Sequence, residues 1–567
     1  MSPLKYLKIN PLSNQIMLLF GNYKIQVFLV SLYVFFIFLN YILGTTPNCC
    51  EDIYFINPLS PEQKINWVWA KTIAEGRFIS SFIMAFLSGF FNTHITSLLV
   101  VGFSIYTSIL ITLSWNCKKR YFALILALLS LNSSLLMLYT FQFYSSIFSI
   151  ANFAIILLLY YYRKNKYIIF FVPLITVIVL GIYQITFTFG LMVLFLMFFI
   201  DVFEEKKFLW KSKLFFYSKY FCATILGFFA YHIILHVLLS FHGKTRITRI
   251  ELWGGRDLKT FQDYFFYGIE CFNSFLGNGI RSSLNPGDSF WLGDIHSRFF
   301  LIKLNEILIP VLLVILLFYS IQKKDFLKII LVIIFLPITI GIVLAPTILS
   351  GSNLIARTFF PFGLVLPALI LAILNLNFRF FKLKSLVTCI SIILLLANSF
   401  FHVEVFQEMR EKSKLAKVEH EKMYEVLSAN PNFSPERKVL IYWYNVNHPN
   451  DKTYIGSNFW PMYHSTSMDI LFKYEINKNI SFVSLDDTLT TEQQEQVRRF
   501  ISFETLTSQQ REQVRRFIVD QKLPTWNEKQ STIFMPPNSS FSEGLLILYY
   551  PYELLISSSS LKSEDLI

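Results

Sequence analysis

Runs of about 17 to 25 apolar residues recur along the chain, near 25–43, 95–115, 121–139, 145–162, 167–183, 187–203, 220–240, 304–321, 327–345, 356–374 and 385–401. Each is long enough to cross a hydrocarbon core about 30 Å thick. A mean hydropathy of +0.50, with 61 Phe and 15% charged residues among 567, excludes an ordinary soluble core. The fold class is therefore a polytopic α-helical membrane protein with about eleven spans.

The connections between the runs set a topology. Lys118-Lys119-Arg120, Arg163-Lys164-Asn165-Lys166, Lys206-Lys207 with Lys211 and Lys213, Lys323-Lys324 with Lys328, and Arg379 with Lys382 and Lys384 fall in alternate connections. The short connections between them, Tyr139–Tyr144 and Tyr183–Thr186, carry no Lys or Arg. The positive-inside rule then places the N-terminus in the cytoplasm and the C-terminus outside. The net charge of +13 belongs to these small clusters and not to one patch, so nucleic acid is not an expected partner. The run 25–43 lacks a small-residue cleavage site and reads as an uncleaved first span. One apolar stretch, Phe78–Phe91, does not fit as a crossing and is expected to re-enter or to lie at the interface.

After residue 401 the composition turns mixed. A charged, helix-compatible run over His402–Ala429 precedes β-type runs at Val439–Tyr444, Ser481–Leu485, Thr532–Met535 and Leu545–Tyr549. The expected organisation is a membrane domain over 1–401 and an outer α+β domain over 402–567. Within the latter, Leu489–Ile501 is nearly repeated by Leu506–Ile518, a local duplication of a short helix.

Six cysteines give no metal-ligand spacing, and no metal is expected. Cys271 lies on the same expected side as Cys49-Cys50, which leaves either one disulfide or free thiols there. No Gly-rich phosphate loop followed by Lys occurs, and neither HExxH nor GxSxG does. ATP-driven transport and zinc or serine hydrolysis lose support. Acidic residues are scarce within the runs, which argues against a proton-coupled transporter.

Chemistry is therefore sought on the outer face. Glu51 and Asp52 follow the first span directly, and one of them could take a proton from an incoming hydroxyl. Successive side chains diverge, so one would act as base and the other would orient or bind; the alternative is two solvated loop acids, or one that caps a short helix. In Glu75-Gly76-Arg77-Phe78, the Arg77 fork could hold a phosphate bidentately or could snorkel to headgroups. Arg357 opens the tenth run from the outer side, where topology demands no cation, and carries the same two readings. Tyr183-Gln184 ends the fifth run and either binds sugar hydroxyls or anchors at the interface. The loop 241–303 combines Arg246, Arg249, Arg256, Arg281 and Arg298 with Trp253, Tyr264, Phe265, Phe266, Tyr267 and Trp291, cations for a phosphate lipid and aromatic faces for sugar rings. Asp288 and Asp294 are reserve bases with an equal claim as turn residues.

The acidic pair after the first span, Gly76-Arg77-Phe78 before an apolar segment, Tyr183-Gln184 at a later boundary and Arg357 opening a late span together resemble the GT-C class of integral membrane glycosyltransferases. More narrowly they resemble the type II family of bacterial O-antigen glucosyltransferases that convert serotype. The resemblance covers roughly residues 1–400, and family members often show Asp-Asp where this chain has Glu51-Asp52. It implies transfer of glucose from undecaprenyl-phosphate glucose to lipid-linked O-antigen at the periplasmic face of the bacterial inner membrane. No cofactor would be required. It implies Asp52 or Glu51 as the catalytic base, Arg77, Arg357 and Arg281 as donor-phosphate ligands, and Tyr183, Gln184, Trp253 and Trp291 as substrate contacts. An O-antigen polymerase, or a flippase or transporter of lipid-linked glycans, is the competing expectation.

Overall fold

The structure is a computed structural model that describes residues 22–43, 76–80, 83, 93–132, 142–204, 210–241, 258, 260–275, 296–350, 356–376, 381–434, 438–444, 477–478, 480–483, 532–535 and 545–551. Glu51, Asp52, Trp253, Arg281, Asp288, Trp291 and Asp294 lie outside these described residues.

The first apolar run forms α1 (Tyr23–Ile37) and α2 (Leu39–Ile42), which meet at Phe38. Asn22 starts α1 by accepting a 3.0 Å hydrogen bond from the Lys24 N–H, as an N-cap side chain does. The chain continues through α3 (Thr93–Ser114), α4 (Lys119–Ser130) and α5 (Gln142–Lys164). A 3-10 turn over Lys166–Phe171 leads into α6 (Val172–Ile182), followed by α7 (Ile185–Glu204) and α8 (Trp210–Phe241). A shorter helix, α9 (Phe261–Ser274), precedes α10 (His296–Gln322) and α11 (Phe326–Ser350). A 3-10 segment over Ala356–Leu364 runs into α12 (Val365–Asn375), and α13 spans Phe381–Ser428.

Seven helices among the described residues are long and apolar enough to cross a membrane; they lie within α3, α5, α7, α8, α10, α11 and α13. Shorter apolar helices occupy Tyr23–Ile37, Lys166–Ile182 and Phe360–Asn375. The run expected over 121–139 is helical as α4 to Ser130, and residues 133–140 lie outside the described part. Phe78–Ser80 and Ile83, at the start of the stretch that did not fit as a crossing, are helical.

Burial explains which helices are central. Every residue of α12 is buried, and α7 is buried along most of its length, so both sit inside the bundle. Helices α1, α8, α10, α11 and α13 instead show exposed rows such as Phe28 and Phe36, Phe229 and Ile233, Phe318 and Ile333, which suit acyl chains. Small residues allow close crossings where lipid supplies no hydrophobic drive between helices. At Gly227 of α8, a Cβ would stand 2.7 Å from the Pro173 carbonyl oxygen of α6, so the two backbones touch.

Contacts divide the chain into two units, one comprising 1–43, 59–289 and 295–406, the other 44–58, 290–294 and 407–567. In the second unit, the end of α13 buries His420, Met423 and Leu427, and Tyr424 meets the Phe433 ring at 6.0 Å. Four strands form one sheet there: β1 (Lys438–Tyr444), β2 (Ser481–Val483), β3 (Thr532–Met535) and β4 (Leu545–Pro551), in the order β2-β1-β4-β3. β1 pairs in parallel with β2 and β4, and β3 is antiparallel to β4. Parallel neighbours need long crossover connections, which the spacing of β1, β2 and β4 in the chain provides.

Candidate functional site

The site begins with a break between two helices. α6 ends at Ile182, and Tyr183 turns to extended backbone with φ −162° and ψ 118° before α7 starts at Ile185. The Tyr183 N–H still donates to the Val179 carbonyl at 2.8 Å, which closes the last turn of α6. Tyr183 and Gln184 are thereby held at the tip of a tight helical hairpin.

Three side chains then fix the segment Gly76–Ser80 against that tip. Gln184 Nε2 donates to the Tyr231 hydroxyl of α8 at 3.1 Å, and the same hydroxyl donates to the Gly76 carbonyl at 2.8 Å. The Phe78 ring stacks on Tyr231 with centroids 5.7 Å apart, beside buried Val177, Leu180 and Leu235. Ser80 Oγ donates to the Arg77 carbonyl at 2.8 Å. Gly76 has φ +79°, the left-handed region that glycine enters without steric cost. A Cβ there would run into the Tyr231 hydroxyl and stand 3.0 Å from Gln184 Nε2. Gly181 removes a second obstacle, since a Cβ at that position would come within 2.6 Å of Ile79.

The outcome is a buried guanidinium at a defined place. Arg77 is 6% exposed, and its charge centre lies 5.1 Å from the centroid of the Tyr183 ring. Tyr183 is itself stacked on Phe148 of α5 at 3.7 Å. Arg keeps its charge in such surroundings, and an aromatic face offsets part of the desolvation. A planar fork of donors fixed in this way can bind a phosphate or carboxylate in two-pronged geometry.

The sequence motifs Gly76-Arg77-Phe78 and Tyr183-Gln184 are thus parts of one site. Arg357 has its backbone in the 3-10 segment, which packs on α7 and α11. Tyr264, Phe265, Phe266 and Tyr267 lie on α9. Tyr231 was not singled out in the sequence: within the apolar run 220–240 it looks like any interfacial aromatic, and a buried Tyr facing a glycine emerges in three dimensions alone.

A second polar cluster lies at the other end of α7. Asp201 is 3% exposed and accepts from Arg163 Nη2 at 2.9 Å, from Lys213 Nζ at 3.0 Å and from the Tyr217 hydroxyl at 2.7 Å. Arg163 also donates to the Ser114 carbonyl. This node joins α3, α5, α7 and α8. Its sequence signal was a lone Asp near the end of an apolar run whose neighbours carry the basic connections. Nearby, burial pushes the Cys117 thiol up to about 12, Glu204 adds to the shift and Lys118 opposes it. Among the described residues no group of three or more His, Cys, Asp or Glu could hold a metal ion.

Comparisons with protein-family models, with curated proteins and with solved structures return no match.

Proposed function

We propose that this chain is a membrane glycosyltransferase of GT-C type that transfers a sugar from a polyprenyl phosphate, with Arg77 as a ligand of the donor phosphate. The observation that carries the reading is the junction itself. A buried arginine is fixed on Tyr183 by a segment whose backbone is held through Tyr231 and Gln184. Such expense of ordering around one cation suits recognition of an anion at a membrane boundary.

In this reading a polyprenyl phosphate is a good leaving group, so the reaction needs a base for the acceptor hydroxyl and no acid for the departing oxygen. Asp52 or Glu51 is proposed as that base, and Arg357 and Arg281 as further phosphate ligands. Tyr183, Gln184, Trp253 and Trp291 are proposed substrate contacts. Glucose as the sugar, undecaprenyl phosphate as its carrier and lipid-linked O-antigen as the acceptor rest on the sequence resemblance alone. The same proposal has eleven spans, a cytoplasmic N-terminus, an α+β domain over 402–567 in the periplasm, and the bacterial inner membrane as its location.

The test is mass spectrometry of the O-antigen from cells making wild-type protein, Arg77→Gln, Glu51→Ala and Asp52→Ala at matched levels. Loss of one hydrogen-bonded charged partner should cost roughly 1.5–3 kcal/mol, about ten- to a hundredfold in donor use, for Arg77→Gln. One of the two carboxylate variants should abolish the added sugar. Full modification in all three would overturn the proposal, and shortened chains with side sugars intact would point to a polymerase.

A further inference from the structure

The helix α9 divides into three sectors when its side chains are placed at about 100° per residue. Tyr264, Tyr267 and Cys271 share one sector, and Tyr267 and Cys271 are buried at 7% and 3%. Phe261, Phe265 and Ile269 share the next, exposed at 84%, 55% and 44%. Gln262, Asp263, Glu270 and Asn273 make up the third, and all four are exposed. Thr260 and Asp263 close a capping box at the start, with the Thr260 N–H donating to Asp263 Oδ2 at 2.8 Å.

The buried sector packs on α11, and the depth of the contact can be read from its partner. A Cβ on Gly268 would stand 3.6 Å from Ile348 Cδ1. Ile348 is the last residue of the apolar span Phe326–Ile348, which starts beside Lys323-Lys324. A helix of this length rises about 34 Å, slightly more than a hydrocarbon core. α9 is therefore level with the membrane boundary farthest from that basic connection.

We propose that α9 is an in-plane interfacial helix whose Phe261, Phe265 and Ile269 row is seated among the acyl chains of that leaflet. Protein covers one sector, water faces the polar one, and lipid is the occupant that the apolar one fits. The contact of Gly268 with Ile348, where the neighbouring span ends, puts acyl chains and not bulk water beside the exposed apolar row. Phe266, on the polar side and 66% exposed, suits the headgroup level where aromatic side chains collect.

The test uses the full chain in vesicles of phosphatidylethanolamine and phosphatidylglycerol, with p-benzoylphenylalanine in place of Phe265 or Glu270. Phe318, 62% exposed on the span of α10, is the reference position. After irradiation, intact mass should show phospholipid adducts at 265 and at 318, roughly tenfold above those at 270, if the row is seated in lipid. Equal adduct yields at 265 and 270 would overturn the proposal. So would a covalent link from 265 to a second copy of the chain.

Discussion

At the Ile185 end of α7 polar groups hold a backbone turn, whereas at the Glu204 end, about 28 Å away by helical rise, they neutralise a carboxylate. The first set is a relay of neutral hydrogen bonds, Gln184 to Tyr231 to the Gly76 carbonyl. The second converges two cations and a phenol on Asp201. A neutral relay fixes geometry at low electrostatic cost. A closed ionic node has its strong interactions satisfied within the protein, which suits a structural staple. On the proposed function, recognition belongs to the first end; the second serves cohesion.

The largest effect is expected at the node. Asp201→Asn leaves Arg163 and Lys213 without their carboxylate, and it should destabilise the protein by about 3 kcal/mol, read as a fall in the melting temperature of purified protein. The proposed transfer activity per folded molecule should persist, and an unchanged melting temperature would erase the distinction between the ends. Next is Gly76→Ala, where the left-handed backbone costs about 1–2 kcal/mol and the new Cβ meets the Tyr231 hydroxyl. Adding Tyr231→Phe removes that hydroxyl, so the double variant should recover part of the loss in a double-mutant cycle; simple additivity would mean the two residues do not touch. Gln184→Ala removes the neutral hydrogen bond to Tyr231, about 1 kcal/mol, and on the proposed function it should raise the donor KM more than it lowers stability. The smallest effect concerns Cys117. A thiol pushed up to about 12 forms little thiolate at pH 8, so N-ethylmaleimide should label it only after unfolding. Labelling at Cys117 itself in the native protein, located by peptide mass, would show that water reaches the node's end of the bundle.

The apolar runs were legible because a spanning helix has to be long and continuous, and helices such as α7 and α11 follow them closely. The residues of the site were legible singly, as an arginine at an apolar edge and a Tyr-Gln pair at a run's end. Their union was not, since it depends on Tyr231, which lies 155 residues from Gly76 and carries no local signal. Asp201 was hidden differently. A count of acids within the spans makes one carboxylate look incidental, and its weight appears only when Arg163, Lys213 and Tyr217 are seen around it. In both cases periodicity reports which side chains face inward and says nothing of which ones meet.

The Asp201 node also bears on how the protein is made. Synthesis runs from the N-terminus, so α5 with Arg163 precedes α7, while Lys213 and Tyr217 of α8 emerge after it. When α7 leaves the ribosome, Arg163 is the one cation of the node already in place to receive its carboxylate. The arrival of α8 then adds the second cation and the phenol, so the node closes only once α8 stands beside α7.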